Sequence, residues 1–204
     1  MGVEPVVTAT ESSGASGLRL GADEKSRLLH LAREALEAAA HGLPLPATAG
    51  EGGVLSRPGA AFVTLHSHGQ LRGCIGCVEP GEWSLAETVV RMAVAASRSD
   101  PRFRRVAPGE IDGLDIEISV LGPLVPVVEL GEVEIGRDGL VAEQAGRRGL
   151  LLPQVATEWR WDRATFAGHA CLKAGLAADS WQRGAKLFRF EAEVFGEEDE
   201  GRAR

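Results

Sequence analysis

The segment LRGCIG at positions 71–76 combines a thiol, a guanidinium and two glycines within six residues. An ionised cysteine is a nucleophile, and a neighbouring cation favours the ionised form. Gly73 and Gly76 let the backbone bend or approach a ligand closely, and amide groups bared by a bend can bind an anion. Arg72 can bind a carboxylate or phosphate through two hydrogen bonds. We therefore predict Cys74 as a candidate catalytic residue, with Arg72, Gly73 and Gly76 as substrate-binding residues.

A purely structural role fits the same segment. Free cysteine is among the most buried residue types, and a glycine within a strand often marks only a bulge. The residue types alone favour this plainer interpretation. If the segment is a regular strand, however, alternation places Arg72 and Cys74 on the same face.

Cys74 and Cys77 also form a C-x-x-C pair, which is a weak metal signal because structural zinc needs four ligands. No spacing rule joins the pair to the side chains that could complete a set. Those side chains are His66, His68, His169 and Cys171. We predict neither a metal site nor a cofactor.

A second candidate is the cluster of four arginines within positions 98–105, which includes Arg102. In an acidic chain such a cluster is a local anion-binding candidate, and we count Arg102 among the substrate-binding residues. The alternative is a solvated helix end, where positive charge is favourable. His169 and Lys173 share a helical face further on, but a helix that ends in glycine explains them more simply.

Hydrophobic periodicity and turn residues predict the elements that hold these side chains. Helices are expected at 23–41, at 85–98 after a Ser84–Glu87 capping box, near 153 and at 162–174. Strands are expected at 60–66, 70–76, 114–121 and 187–195, with two short strands around a turn at 137–139 and another strand at 150–152. This irregular mixture predicts an α+β fold with an antiparallel or mixed sheet flanked by helices.

Composition limits the classes of function. The chain has 204 residues, 44% of them hydrophobic, and a net charge of −7, which disfavours nucleic-acid binding. No apolar run is long enough for a membrane helix, no secretory signal is visible, and three cysteines make no disulfide framework. We expect a cytoplasmic protein with a disordered leader at 1–17, one folded domain at 18–194 and a charged tail at 195–204.

Five motifs in order resemble the AMME chromosomal region protein family, whose bacterial and archaeal members are often called AmmeMemoRadiSam system protein A. The motifs are LRGCIG at 71–76, DPRF at 100–103, LDIEISVL at 114–121, GLLLPQVA at 149–156 and CLKAGL at 171–176. The resemblance covers about residues 18–194. It implies an α+β fold with a larger lobe built from both chain ends and a smaller lobe, and it implies neighbourhood with Memo-like and radical SAM proteins.

The resemblance makes LRGCIG the family hallmark but implies no particular reaction, and Cys77 departs from the family pattern. Two hypotheses follow. In the first, Cys74 and Arg72 line a cleft that handles a small anionic substrate or a modified residue on a partner. In the second, the protein is a non-catalytic adaptor whose arginine surface at 98–105 docks a Memo-like or radical SAM partner. The sequence leaves open whether the protein is an enzyme, and it does not indicate an oligomeric state.

Overall fold

The computed structural model describes residues 19–197, so the predicted leader at 1–17 and positions 198–204 of the predicted tail lie outside it. The helices are α1 (Ala22–His41), α2 (Leu85–Arg98), α3 (Pro153–Glu158) and α4 (Arg163–Lys173). The strands are β1 (Ala60–Ser67), β2 (Gln70–Gly76), β3 (Leu114–Leu121), β4 (Val125–Pro126), β5 (Asp138–Gln144), β6 (Arg147–Leu151) and β7 (Lys186–Gly196). Short 3₁₀ helices lie at Pro108–Gly113, Leu130–Glu132 and Ser180–Gln182.

The strands form one curled antiparallel sheet in the order β2-β1-β3-β7-β5-β6, with β4 paired to β7 beside β3. The α+β prediction is therefore confirmed. Strand β7 is long enough to belong to both halves of the sheet, because its C-terminal half pairs with β3 and its N-terminal half with β4 and β5. The two halves of the sheet carry separate helices and separate cores.

The larger core lies between α1, α2 and one face of β1 and β3. Alternation in β3 turns Ile116, Ile118 and Val120 toward these helices, and each is almost completely buried. Each such side chain contributes about 1.5–3 kcal/mol by leaving water. The predicted capping box forms only in part: the hydroxyl of Ser84 accepts a hydrogen bond from the amide of Glu87 at the start of α2, whereas the carboxylate of Glu87 accepts hydrogen bonds from Arg91.

A smaller core lies between α3, α4 and the β5–β6 hairpin, around Phe166 and Leu140. A third cluster joins the two halves on the opposite face of the sheet, where Ala60 and Leu121 meet Val141 and Phe190. We call that face the inner face of the sheet, and the face that carries α1 and α2 the outer face. No helix within residues 19–197 is long and apolar enough to span a membrane.

Two sequence expectations need correction. The first correction concerns the strand expected before Arg137. The 3₁₀ helix Leu130–Glu132 and a turn lie there instead, and β5 begins at Asp138. Strand β7 continues to Gly196, and Phe195 is buried in the larger core. The predicted boundary between residues 194 and 195 therefore falls inside the last strand.

Candidate functional site

The LRGCIG segment forms most of β2, the strand at one edge of the sheet, and its pairing with β1 is interrupted by a bulge. Gly73 pairs with Leu65, and Leu71 pairs with His66. Arg72 is therefore the extra residue of the bulge and has no opposite residue in the register of β1. The expectation that Arg72 and Cys74 share a face rested on regular alternation, which the bulge breaks. The guanidinium of Arg72 and the thiol of Cys74 consequently have different partners.

Arg72 holds a neighbouring loop against the edge of β2. Its Nε donates to Oε1 of Glu110 at 3.1 Å and its Nη1 donates to the carbonyl of Arg104 at 2.9 Å. Only 13% of the Arg72 side chain is exposed. Hydrogen bonds from the amide of Ala107 and from Arg72 lower the pKa of Glu110 below its ordinary value, so this ion pair persists to low pH.

Asp100 connects the same loop to Cys74. Its carboxylate accepts hydrogen bonds from the amide of Cys74 at 2.9 Å and from Nη2 of Arg102 at 2.7 Å, while its other oxygen accepts from Nε of Arg102 at 3.0 Å. The Asp100 side chain is only 2% exposed, whereas that of Arg102 is 54% exposed. The hydrogen bond from Arg102 holds the pKa of Asp100 well below its usual range.

The consequence is a guanidinium fixed beside the cysteine. Nη2 of Arg102 lies 3.5 Å from the carbonyl oxygen of Cys74. The hydrogen bond with Asp100 raises the pKa of Arg102. Because Asp100 bonds to both residues, the position of the charge relative to Cys74 is set by one buried carboxylate.

The thiol of Cys74 faces the inner face of the sheet, away from α1 and α2. The hydroxyl of Thr64 donates to Sγ of Cys74 at 3.3 Å. Thr64 also pairs with Glu117 on its other side, so Cys74, Thr64 and Glu117 form one cross-strand row. Cys74 and Glu117 are both half-buried and remain in contact with solvent.

An imidazole and a second carboxylate lie next to this row. His66 is two residues from Thr64 on the same face of β1 and pairs with Asp115 of β3. A cavity of about 250 Å³ lies beside them and is lined in part by His66, Asp115 and Glu117. The inner face thus presents a nucleophile, an imidazole and two carboxylates, the residue types that acid–base and nucleophilic chemistry uses.

The two glycines of the segment make close packing possible. A Cβ on Gly73 would lie 2.3 Å from the carbonyl oxygen of Ala96 in α2, and a Cβ on Gly76 would lie 2.2 Å from the ring of Phe62. Neither distance is compatible with a side chain. The close approach that Gly73 permits in this structure is therefore to helix α2.

The remaining thiol and histidine candidates do not join the site. Cys171 is fully buried in the core of the smaller lobe, and burial raises the pKa of its thiol. His169 stacks on Trp161 with ring centroids 3.8 Å apart. Across residues 19–197, no group of three or more His, Cys, Asp or Glu side chains is arranged to hold a metal ion.

Sequence reasoning found Cys74 and Arg102 separately, and the structure brings them together. It passed over Asp100 as a partner and assigned no role to Thr64 or Glu117. A signal for Glu117 was available, because alternation in β3 already pointed it away from the larger core. No local pattern could have shown that Asp100 reaches the amide of Cys74 across 26 residues of sequence.

Comparisons with known proteins agree with this fold. The family model described as AMMECR1 matches residues 29–195. A protein of Methanothermobacter thermautotrophicus is 41% identical over 189 residues, which cover 88% of this chain and 97% of the relative. A protein of Aeropyrum pernix is 43% identical over 181 residues, which cover 83% of this chain and 77% of the relative. The crystal structure of an uncharacterised protein from Pyrococcus horikoshii is similar with a TM-score of 0.77 and 37% identity, and the match covers 84% of this chain and 90% of that one.

Proposed function

This chain belongs to the AMMECR1 family, and we propose that Cys74 and Arg102 form its functional site, which handles a small anionic substrate or a modified, anionic residue on a partner protein. One observation carries this proposal: the buried Asp100 carboxylate bonds to both the Cys74 amide and the Arg102 guanidinium. A half-exposed cation is thereby fixed beside a solvent-accessible cysteine.

Each residue of the proposed site has its own role. Arg102 binds the anionic group of the substrate, since a guanidinium offers two parallel hydrogen bonds to a carboxylate or phosphate. Cys74 supplies the nucleophilic sulfur, and Glu117 is the nearest carboxylate along the row through Thr64. Three residues support the site indirectly: Arg72 holds the loop, Gly73 lets α2 pack on β2, and Gly76 leaves room for the ring of Phe62.

Alkylation of Cys74 by two reagents of different charge tests the proposal. Iodoacetate carries a carboxylate and iodoacetamide does not, so their rate ratio at Cys74 reports the local charge. By Coulomb's law in water, a unit positive charge at about 6 Å from any reacting sulfur would favour an anionic reagent by about 0.7 kcal/mol, a factor of about three. We expect Arg102→Gln to lower the iodoacetate to iodoacetamide ratio by at least about threefold, as measured by mass spectrometry of the Cys74 peptide at low salt.

Arg104→Gln is the matched control, because Arg104 lies in the same loop, 85% of its side chain is exposed, and within the described chain the carboxylate it faces is that of Glu110. It should leave the ratio at Cys74 unchanged. Cys77, measured in the same digest, serves as an internal reference. Equal ratios for wild type and Arg102→Gln, or equal losses in the two arginine variants, would refute a site built on Arg102.

A second candidate function is that of an adaptor for Memo-like or radical SAM proteins. The observation that favours it is the exposure of Arg104 and Arg105 on an otherwise acidic chain. Charge reversal at both positions should abolish capture of such a partner in a pull-down, while Cys74→Ala should leave capture intact. Capture that survives the charge reversal would argue against the adaptor.

We also propose a cytoplasmic location. Cys74, Cys77 and Cys171 are all free thiols, as expected in a reducing compartment. Fractionation of cells that express the full chain, followed by labelling of free thiols in each fraction, tests this location.

A further inference from the structure

A second cavity lies far from β2, on the outer face of the sheet where its two halves meet. It has a volume of about 330 Å³, and Gly122, Val125, Arg137, Arg189 and Glu191 are among the residues that line it. Strand β7 changes partners here, from β3 to β4, so the sheet is interrupted beside the cavity. Neither the larger nor the smaller core extends over this point.

A fully buried carboxylate lies beside the two arginines of the cavity wall. Asp138 is 0% exposed and accepts hydrogen bonds from Nε and Nη2 of Arg137, both at 2.9 Å, and from the amide of Glu134. Burial alone would raise the pKa of Asp138, but the hydrogen bonds from Arg137 and Glu134 and the charges of Arg137 and Arg189 together lower it. Asp138 therefore stays ionised and fixes Arg137 in place.

Arg189 is the second arginine, and its donors are largely unused. Its Nη1 lies 3.9 Å from Oδ1 of Asp138, too far for a hydrogen bond, and its Nε is buried without a hydrogen-bond partner among the described residues. A buried guanidinium donor without a partner is costly, and a bound anion or water normally satisfies it. The side chain is 28% exposed, so part of it can meet a ligand in the cavity.

The formal charges of this cluster do not favour an anion by their sum, but their distribution leaves one cation unsatisfied. Arg137 is already paired with Asp138 and with Glu134, which lie 2.9 Å and 2.5 Å from its guanidinium nitrogens. Glu134 and Glu191 are 61% and 58% exposed, so water screens their charges. Arg189, by contrast, lies 3.9 Å from Asp138, beyond hydrogen-bond distance. Arg189 is therefore the cation of this cluster that the protein satisfies least and that a ligand can use.

We propose that this cavity binds a small oxyanion, a phosphate or carboxylate group, through the guanidinium of Arg189, with Arg137 as the supporting charge. Asp138 acts by holding Arg137 in place at the cavity wall. The site is separate from the Cys74 site and does not depend on the function proposed for it.

Thermal unfolding of the full chain in inorganic phosphate, with sodium chloride at equal ionic strength as reference, tests the proposal. Phosphate at about twenty times a dissociation constant of about 1 mM should raise the Tm of the wild type by about 5 °C. Arg189→Gln should lose this rise, and the exposed-surface control Arg183→Gln should keep it. Acetate in place of phosphate distinguishes a carboxylate site from a phosphate site, because only the preferred group should give the full rise.

A gain of affinity provides a second measurement that does not depend on how well Arg189→Gln folds. Glu191→Gln removes a negative charge from the cavity wall and should tighten phosphate binding about threefold. Glu82→Gln makes the same change on the exposed segment before α2 and should have no effect. A phosphate rise equal in Arg189→Gln and Arg183→Gln, no rise in the wild type with either anion, or equal affinities for Glu191→Gln and Glu82→Gln would overturn the proposal.

Discussion

Replacing Gly73 with alanine tests whether close packing of α2 on β2 holds the candidate site together. The added Cβ would lie 2.3 Å from the carbonyl oxygen of Ala96. An ordinary contact between such atoms is more than about 3.2 Å, so strand and helix must separate by about 1 Å. The obstacle is the backbone of a helix, which cannot rotate aside as a flexible side chain can.

The size of the effect follows from this separation. Overpacking in a well-packed region costs about 1–3 kcal/mol, and a clash with backbone belongs at the upper end of that range. We expect Gly73→Ala to lower the free energy of unfolding by about 2–3 kcal/mol and the Tm by about 4–12 °C for a chain of this size. Because α2 ends at Arg98, just before Asp100, the shift should also weaken the link to Cys74 and reduce its preference for iodoacetate.

Urea unfolding followed by circular dichroism measures the free energy of unfolding. Gly81→Ala is the control. A Cβ on Gly81 has no neighbour within 4 Å, so this variant should unfold within about 0.5 kcal/mol of the wild type. If Gly73→Ala is as stable as Gly81→Ala, helix and strand are not packed as described. If it is destabilised but keeps the iodoacetate preference of Cys74, Gly73 does not position the site.

Two further predictions concern ionisable groups. Asp100→Asn should lower the free energy of unfolding at pH 7 by about 2–3 kcal/mol, because Arg102 loses its buried counter-charge. Since the folded state holds the pKa of Asp100 below the unfolded value, its stabilisation is present above about pH 4 and is lost progressively as the pH falls. The gap between wild type and variant should thus be smaller in urea unfolding at pH 3 than at pH 7, and an equal gap would contradict the assignment. The buried thiol of Cys171, whose pKa is raised, should resist a disulfide reagent in the native protein while half-buried Cys74 and Cys77 react; labelling of Cys171 at the same rate would show that the smaller core is open.

Elements with a clear period were predictable from the sequence. Alternation fixed β3 at Leu114–Leu121, and the capping box placed the start of α2 within one residue. The structure before β5 was not predictable, because Arg137-Asp138-Gly139 has the composition of a hairpin turn. Asp138 instead begins a strand as a buried partner of Arg137, and that role depends on contacts that no local pattern reveals.

The candidate site was likewise predictable only in part. The residue types Cys74 and Arg102 were identifiable because a thiol and an arginine cluster are unusual in their surroundings. The bulge that separates Arg72 from the regular alternation was not identifiable, since it depends on the register between two strands. Distances between residues remote in sequence are properties of the assembled sheet, and the Asp100–Cys74 hydrogen bond is one of them.

The structural and functional interpretations of LRGCIG are connected rather than opposed. As a sheet edge, β2 would leave backbone groups open to pairing with another chain, and proteins usually protect such edges. Here the amide of Cys74 is bonded by Asp100 and its carbonyl lies near the guanidinium of Arg102. The side chains that protect the edge therefore also fix a positive charge beside the backbone of Cys74. A change at either Asp100 or Arg102 must therefore affect stability and charge together, because Arg102 is the counter-charge of a carboxylate that is only 2% exposed.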